Sequence, residues 1–314
     1  SSVSPKERVK VKEYDVIIIG GGPAGISAAI YTGRAMLSTL LIEKAAVGGL
    51  IASSDIIENY PGFPEPIQPT ELMANMEKQA KRFNVQFEFD TVNTIEPVED
   101  GYVLKTDWDE FHARGIILAT GSSPKKSGVP GEEKFLGRGI TFCATCDGPF
   151  YKDKDVIIVG AGDSGVQEGL FLLNFVKSVT FLVYKPVIKA SKALLQKVQG
   201  KENVRFILNS DLIEVVGNER LEGAKIRNKE TGEESVVPGQ GIFLYIGFKP
   251  NTGFLKGFVD LDEKGYIITD KRMATSRPKV YAAGDVTKNT YAQVAVSVGS
   301  GVTAAMSLIH DLEK

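Results

Sequence analysis

The stretch that decides the fold is Ile17-Ile18-Ile19-Gly20-Gly21-Gly22-Pro23-Ala24-Gly25. Residues 14–19 form a compact β-rich run, which predicts a buried strand. Residues 23–34 predict a helix, and a second apolar run at 38–42 ends at Glu43. Strand, glycine turn, helix, strand and acid, in that order, predict a βαβ unit that binds a dinucleotide.

Each glycine of this turn has a predicted task. Gly20 permits the tight turn, Gly22 lets the backbone approach a pyrophosphate, and Gly25 allows the helix to pack closely on the strand. The helix N-terminus offers free N–H groups and partial positive charge to the phosphates. Glu43 lies where a carboxylate would accept hydrogen bonds from an adenosine ribose.

A second copy of the same device follows later in the chain. Residues 155–159 predict a strand, Gly160-Ala161-Gly162-Asp163-Ser164-Gly165 repeats the glycine spacing, residues 163–175 predict a helix, and residues 178–183 predict a strand. This strand ends at Tyr184-Lys185 without an acid. The nearby Lys185 and Lys189 either hold a 2′-phosphate or form a solvated face, and the sequence leaves both interpretations open.

The order of these patterns predicts the domain organisation. Short strands fill the region between the two copies, and a small-residue helix begins near Gln293. We predict an α/β fold with two Rossmann-like, three-layer dinucleotide-binding domains, the second inserted in the first. The first domain would comprise residues 1–124 and 247–314, and the inserted domain residues 125–246.

Composition narrows the function classes. The chain has 314 residues, of which 43% are hydrophobic and 24% charged, and its net charge is −2. These values are typical of a globular protein and give no electrostatic reason to expect a nucleic-acid or membrane partner. Apolar runs such as 156–159 and 243–246 are too short to span a bilayer. The polar first residues lack a signal-peptide core, so we expect a cytoplasmic protein.

Two cysteines, Cys143 and Cys146, lie three apart and are followed by Asp147. Their close spacing favours a redox or metal role over structural cross-linking. The chain has only two histidines, too few to complete a usual zinc site with this pair, so we predict no metal. Gly148-Pro149 predicts that any helix starting at the pair is short.

Several motifs together resemble the low-molecular-weight thioredoxin reductases, a class of FAD-dependent pyridine nucleotide-disulfide oxidoreductases. The chain's segments that carry the resemblance are Cys143-Ala144-Thr145-Cys146-Asp147-Gly148, Glu58-Asn59-Tyr60-Pro61-Gly62-Phe63, Ala119-Thr120-Gly121, Tyr281-Ala282-Ala283-Gly284-Asp285-Val286 and Tyr291-Ala292-Gln293. The resemblance covers nearly the whole chain.

The resemblance implies FAD in the first site, a homodimer, and an inserted domain that swings relative to the flavin domain. Asp285 would bond the ribityl chain, and Asn59 and Gln293 would lie near the flavin ring. The residues it assigns to FAD, together with those of the first glycine turn, are Gly20, Gly22, Pro23, Ala24, Gly25, Glu43, Lys44, Gly49, Leu50, Asn59, Val92, Ala119, Thr120, Gly121, Gly284, Asp285, Ala292, Gln293 and Val294.

The resemblance also implies the reaction: FAD-mediated two-electron reduction of a thioredoxin-like protein through the Cys143–Cys146 dithiol. Cys146 would lie closer to the flavin, and Asp147 would act as general acid and base. A flavoprotein that only binds partners would need none of these three residues. The remaining alternative is the same chemistry serving another small redox protein.

The sequence leaves the identity of the electron donor open, because the second site departs from the family pattern. The family's His-Arg-Arg, followed three residues later by Arg, falls on Val183-Tyr184-Lys185 and Lys189, and an expected arginine is Ala292. The donor is therefore either NADPH or an atypical one, such as NADH, reduced ferredoxin or a deazaflavin. The predicted nicotinamide-dinucleotide residues are Gly160, Gly162, Asp163, Ser164, Lys185 and Lys189.

Overall fold

The computed structural model describes residues 11–53, 57, 59–288 and 291–314, and for residues 52, 53, 145 and 146 it describes only the backbone. The chain forms two compact units. The first unit holds the described residues up to 52, from 57 to 123 and from 249 onward, and the second holds Ser53 and residues 124–248.

The first part of the chain supplies most of the first unit. Its elements are β1 (Lys12–Ile19), α1 (Pro23–Arg34), β2 (Thr39–Glu43), α2 (Pro69–Arg82), β3 (Gln86–Phe89), β4 (Val92–Val98), β5 (Gly101–Thr106), β6 (Glu110–Leu118) and β7 (Ser122–Pro124). The chain then enters the second unit, whose elements are α3 (Glu132–Phe135), β8 (Ile140–Thr141), α4 (Ala144–Asp147), β9 (Asp155–Val159), α5 (Asp163–Leu172), β10 (Ser178–Leu182), α6 (Lys192–Val198), β11 (Val204–Ile207), β12 (Ser210–Gly217), β13 (Leu221–Asn228), β14 (Glu234–Pro238) and β15 (Gly241–Leu244). It returns through β16 (Phe248–Pro250), β17 (Val280–Ala282) and α7 (Val294–Leu312).

The first unit is built on a sheet with strand order β3-β2-β1-β6-β5-β4, in which β17 also pairs with the end of β6. Strands β3, β2, β1, β6 and β17 are parallel, and β4 and β5 form an antiparallel meander beside β6. Ile19 pairs with both Ile42 and Leu118, and Leu118 pairs with Ala282. The carboxyl ends of these four strands therefore meet at one edge of the sheet, where open α/β sheets bind ligands.

Alternation along β1 separates two cores. Val16 and Ile18 pack with α1, α2 and α7, whereas Ile17 and Ile19 pack on the opposite face with residues of β4–β6 and of segment 255–267. All four side chains are 6% exposed or less. Burial on both faces explains why residues 16–19 are continuously apolar rather than alternating.

The second unit repeats this plan around a parallel sheet with strand order β11-β10-β9-β15-β8. Helices α5 and α6 contribute to one core, and a separate antiparallel sheet, β12-β13-β14, contributes to the other. The helix predicted over 163–175 is shorter, since α5 ends at Leu172. There the Asn174 side chain donates to the Phe171 carbonyl at 3.0 Å and helps to form a turn.

The expectation that the apolar segments of the chain are too short to span a membrane does not hold for helix α7. Its 19 residues are long and apolar enough by length and composition, with a mean hydropathy of 1.2, and a third of it is buried in the structure. The sequence predicts this helix from its small residues, but Gly, Ser and Ala interrupt the larger apolar residues, so no long apolar run marks it. Part of its surface packs on α1, where a Cβ added to Gly301 would lie 2.2 Å from the Ala24 carbonyl oxygen.

Residues 122–124 form β7, which pairs with β16. Asn251, just after β16, secures this pairing within the first unit. Its side chain donates to the Thr120 carbonyl at 2.9 Å and accepts from the Ser123 hydroxyl at 2.8 Å, and its N–H donates to the Gly121 carbonyl at 3.0 Å. The two chain connections are thus short, hydrogen-bonded strands.

Candidate functional site

The glycine turn after β1 has backbone contacts that exclude side chains. Gly20 has φ +110°, and a Cβ there would lie 2.1 Å from the Ala119 carbonyl oxygen. A Cβ on Gly25 would lie 1.9 Å from the Gly20 carbonyl oxygen. Helix α1 can approach the end of β1 only because both positions lack a side chain.

The start of α1 is open toward the strand ends. Gly22 is the N-cap residue, and among the described residues no side chain forms a capping hydrogen bond with this helix. The nearest described atom to a Cβ on Gly22 would be the Gly49 Cα at 4.0 Å. The Gly48 N–H donates to the Gly21 carbonyl at 2.9 Å, which holds the Gly48-Gly49 loop beside the turn. Two strips of bare backbone and an uncapped helix start form a cradle suited to a pyrophosphate.

Glu43 stands at the end of β2 beside this cradle. Its carboxylate accepts from the Gly21 N–H at 2.7 Å and from the Ala45 N–H at 3.1 Å. These bonds fix the orientation of the carboxylate, which has further lone pairs available to accept hydroxyl groups.

The C-terminal part of the chain completes this edge of the first unit. Gly284 follows β17 with φ +77°, and a Cβ there would lie 2.9 Å from the Ala24 Cβ. The Gly284 N–H donates to the Ser300 hydroxyl on α7 at 3.0 Å. Asp285 is half-buried, its pKa is raised by burial, and the Ser297 hydroxyl donates to it at 3.5 Å.

Asn59 and Gln293, two further residues of the predicted FAD site, are in contact although 234 positions separate them in the sequence. The Asn59 side-chain amide donates to the Gln293 side-chain oxygen at 3.1 Å. Both side chains are exposed, as are Lys44, Leu50 and Ala292. Val92 differs from the rest of the predicted set: its side chain is 7% exposed and belongs to the core, so only its backbone is left for a ligand.

These observations test whether FAD fits the first unit. The bare cradle at Gly22 and Gly49, the fixed Glu43 carboxylate and the half-buried Asp285 lie at carboxyl ends of parallel strands. The residues present fit a dinucleotide whose pyrophosphate lies at the start of α1.

The second glycine turn has the same construction. Gly160 has φ +106°, and a Cβ there would lie 2.3 Å from the Tyr245 carbonyl oxygen. A Cβ on Gly165 would lie 2.3 Å from the Gly160 carbonyl oxygen, whereas one on Gly162 would meet no atom of the described residues within 4 Å. Gly162 is the N-cap of α5, and no side chain in the described part of the chain forms a capping hydrogen bond there. This turn also fits a dinucleotide by its backbone.

The side chains around the second turn differ from those of a usual nucleotide site. The Asp163 carboxylate accepts from the Ser191 N–H at 2.6 Å. Tyr184, which stands near the position of a ribose-binding acid or an arginine, is 59% exposed, and the Lys229 ammonium lies 3.3 Å from its ring centroid. Lys185 and Lys189 are exposed. Lys229 was missed by sequence reasoning because it comes from the distant turn after β13.

The dithiol segment lies in the second unit, and Cys143 is disulfide-bonded and half-buried. The helix that follows, α4, is a single turn, as Gly148-Pro149 predicted. The Thr141 hydroxyl donates to the Asp147 carboxylate and accepts from the Cys143 N–H at 3.2 Å. Among the described residues no group of three His, Cys, Asp or Glu could hold a metal ion.

Tyr245 anchors the same turn from the end of β15. Its hydroxyl accepts from the Ala144 N–H at 2.8 Å and hydrogen-bonds to the Glu168 side chain. Burial is the largest cause that raises the Tyr245 pKa, and the Glu168 charge adds to it. Sequence reasoning missed Thr141, Tyr245 and Glu168, and only the position of Thr141 two residues before Cys143 could have indicated one of them.

Comparison with known proteins gives consistent matches. The model of the pyridine nucleotide-disulphide oxidoreductase family matches residues 14–301. A thioredoxin reductase from Mycolicibacterium smegmatis is 40% identical over 295 residues, which are 93% of this chain and 94% of that protein. The crystal structure of T. acidophilum thioredoxin reductase has a TM-score of 0.86 and 38% identity over 96% of this chain and 100% of its own. The Lactococcus lactis thioredoxin reductase has a TM-score of 0.88 and 36% identity over 96% and 99%.

Proposed function

Because this chain belongs to the pyridine nucleotide-disulphide oxidoreductase family, we propose that it passes two electrons from FAD to the Cys143–Cys146 disulfide and on to a thioredoxin-like protein. Its similarity to thioredoxin reductases extends over both units rather than over one nucleotide-binding fold. The observation that carries the proposal is the disulfide-bonded Cys143 in a chain whose other unit has bare glycine backbone, at Gly22 and Gly49, beside the start of α1.

We assign FAD to the first unit. The backbone around Gly22 and Gly49 would hold the pyrophosphate, Glu43 the adenosine ribose, and Asp285 the ribityl chain. Asn59 and Gln293, which hydrogen-bond to each other, would lie beside the ring. When bound, FAD supplies a carrier that accepts and releases two electrons.

The protein's own groups then manage protons and sulfur. Opening the disulfide takes two electrons and leaves two sulfur anions, one of which takes a proton from Asp147. For transfer onward, one thiolate attacks the partner's disulfide, and the second cysteine resolves the mixed disulfide. The partner leaves with two thiols, and the enzyme's disulfide forms again.

The donor site is assigned to the turn of Gly160, Gly162 and Gly165. A nicotinamide dinucleotide would place its pyrophosphate at the start of α5, with Ser164 in the first turn. Around the ribose, Lys185, Lys189 and Lys229 would offer point charges to a 2′-phosphate, without the bidentate fork of arginine. The exposed Tyr184 beneath Lys229 favours weak NADPH binding, or a donor other than NADPH.

The experiment supplies NADPH, NADH and, separately, reduced ferredoxin or a reduced deazaflavin to the anaerobic FAD-loaded enzyme together with oxidised thioredoxin. We expect at least one donor to bleach the flavin and to yield thioredoxin thiols. Cys146→Ser should keep its FAD absorbance and lose thioredoxin reduction. If dithionite bleaches the yellow protein but no electrons reach thioredoxin, the proposal that thioredoxin is the partner would be wrong.

We further propose a cytoplasmic homodimer. The exposed side chains of Val296 and Met306 lie on α7, where Met306 is 53% exposed. Apolar side chains on an exposed helix face are suited to pack against a second copy of the chain.

A further inference from the structure

Two hydroxyl groups accept the backbone N–H groups at the start of the dithiol turn. Thr141 Oγ1 accepts from the Cys143 N–H at 3.2 Å, and the Tyr245 hydroxyl accepts from the Ala144 N–H at 2.8 Å. The two groups differ in the acid on their other side. Thr141 donates to Asp147, whereas Tyr245 hydrogen-bonds to Glu168.

Thr141 is 7% exposed at the end of β8, so its hydroxyl is shielded from water. A hydroxyl has one proton, and here that proton is directed to Oδ2 of Asp147. The Asp147 N–H in turn donates to the Cys143 carbonyl at 3.2 Å. Three hydrogen bonds therefore link the Cys143 backbone, the Thr141 side chain and Asp147 in a closed ring.

This ring restricts the Asp147 carboxyl group. One oxygen accepts the Thr141 proton, which leaves Oδ1 as the oxygen that can take up or release a proton. A carboxyl group that is free to rotate would have to find the reacting sulfur during each turnover. Holding the acid in one orientation shortens this search, and small displacements of catalytic groups are costly to the rate.

We propose that Thr141 is a positioning residue that aims Asp147 at the sulfur released when the Cys143–Cys146 bond opens. This inference rests on the proposed function, in which Asp147 is the acid. In this step a reductant supplies two electrons, the S–S bond breaks, and Asp147 gives its proton to one of the two sulfur anions. The resulting carboxylate keeps the hydrogen bond from Thr141.

The competing explanation is that Thr141 only anchors the helical turn. Tyr245 provides the comparison, because its hydroxyl also accepts an N–H of that turn but hydrogen-bonds to a different acid. Thr141→Val and Tyr245→Phe each remove one hydroxyl with little change of shape. Only the first removes a bond to Asp147.

The test uses dithiothreitol on the FAD-loaded enzyme, so that neither donor nor partner is needed. Dithiothreitol becomes a cyclic disulfide, and the enzyme gains two thiols, which are alkylated at timed intervals and counted by mass spectrometry. Thr141→Val should slow disulfide opening roughly tenfold, and Thr141→Ser, which keeps the hydroxyl, should restore the rate to within about twofold. Asp147→Asn should slow it by about a hundredfold.

The decisive comparison is in the Asp147→Asn background. There Thr141→Val should cause no further loss, because the acid that Thr141 positions is gone, whereas Tyr245→Phe should slow both backgrounds by one common factor. Equal loss from Thr141→Val in both backgrounds, or a wild-type rate in Thr141→Val, would overturn the inference. If Thr141→Val does not fold, as judged by circular dichroism, Thr141→Ala replaces it in the same cycle.

The same experiment separates this inference from the proposed function. The flavin absorbance is followed while the thiols are counted. Thiols that appear without flavin bleaching would contradict electron exchange between disulfide and FAD, while the comparison of rates among the Thr141 variants would still decide the role of that residue.

Discussion

At the scale of single residues, glycines with the same spacing have different tasks in this chain. A Cβ on Gly160 or Gly165 would lie 2.3 Å from a carbonyl oxygen, whereas a Cβ on Gly162 would have no atom within 4 Å among the residues that the structure describes. The sequence predicts both kinds by their spacing, because a turn and a close helix approach need glycine whatever the ligand. The contacts that separate packing glycines from ligand-facing ones involve Tyr245, which is distant from Gly165 in the chain, so spacing alone does not reveal them.

Gly162→Ala should therefore leave the thermal midpoint within about 2 °C of the wild type, since its N-cap backbone, at φ −80°, suits alanine. If a nicotinamide dinucleotide binds at this turn, the added methyl group should weaken its binding by about tenfold or more, because it fills the space that the pyrophosphate needs. Isothermal titration with NADPH and NADH measures this loss.

The control for this substitution is Gly160→Ala, which should destabilise the protein by several kcal/mol through its positive φ and the 2.3 Å contact. Nucleotide affinity that is unchanged in Gly162→Ala would place the donor elsewhere.

At the scale of elements, hydrogen bonds between distant segments hold α7 to the sheet. The buried Tyr281 of β17 donates its hydroxyl proton to Asp311, and Arg272 donates to the same carboxylate at 3.2 Å. The hydrogen bond from Tyr281, followed by the one from Arg272, lowers the Asp311 pKa to about 2. The sequence predicts α7 from its small-residue pattern, but which of its polar side chains meets β17 depends on the register of packing.

Because the Asp311 pKa is lowered in the folded protein, the charged carboxylate stabilises the fold at neutral pH, and this stabilisation is lost in acid. The ordinary value is 3.8, so the contribution of Asp311 to stability is complete above about pH 4 to 5 and is lost as the pH falls through about 2. Because the side chain is 25% exposed, solvent screening reduces the contribution to about 1 kcal/mol at pH 7.

Asp311→Asn should accordingly lower the urea midpoint at pH 7, and its difference from the wild type should shrink below about pH 4 and approach zero only below about pH 2. Tyr281→Phe, which removes the main donor, should show the same trend. A difference that stays constant from about pH 7 to about pH 2 would mean that the charge of Asp311 is not what holds α7.

At the scale of the whole molecule, the sequence predicts two α/β units with one glycine turn each, because strand, turn and helix are local patterns. It does not predict the contacts among Gly284, Ala24 and Gly301, which bring residues from opposite ends of the chain against one helix start. Likewise, the side chains that surround the dithiol come from β8, α5 and the end of β15, and only folding brings them to one turn.

The proposed homodimer gives a prediction at this scale. Met306→Asp places a charge on the exposed face of α7 and should weaken self-association by about tenfold or more, or ~1.4 kcal/mol, because the charge would lose water on burial. Gln79→Asp, on the exposed side of α2, makes the same charge change and should leave association unaltered. Sedimentation equilibrium measures both, and a wild-type protein that is monomeric at micromolar concentration would contradict the dimer.

If the disulfide of Cys143 exchanges electrons with a bound FAD, an anaerobic dithionite titration should reduce both groups. The wild-type enzyme should take up about four electron equivalents per FAD, two for the flavin and two for the disulfide, whereas Cys143→Ser should take up about two. An equal uptake of about two equivalents by both proteins, with the wild-type disulfide intact at the end, would contradict the account.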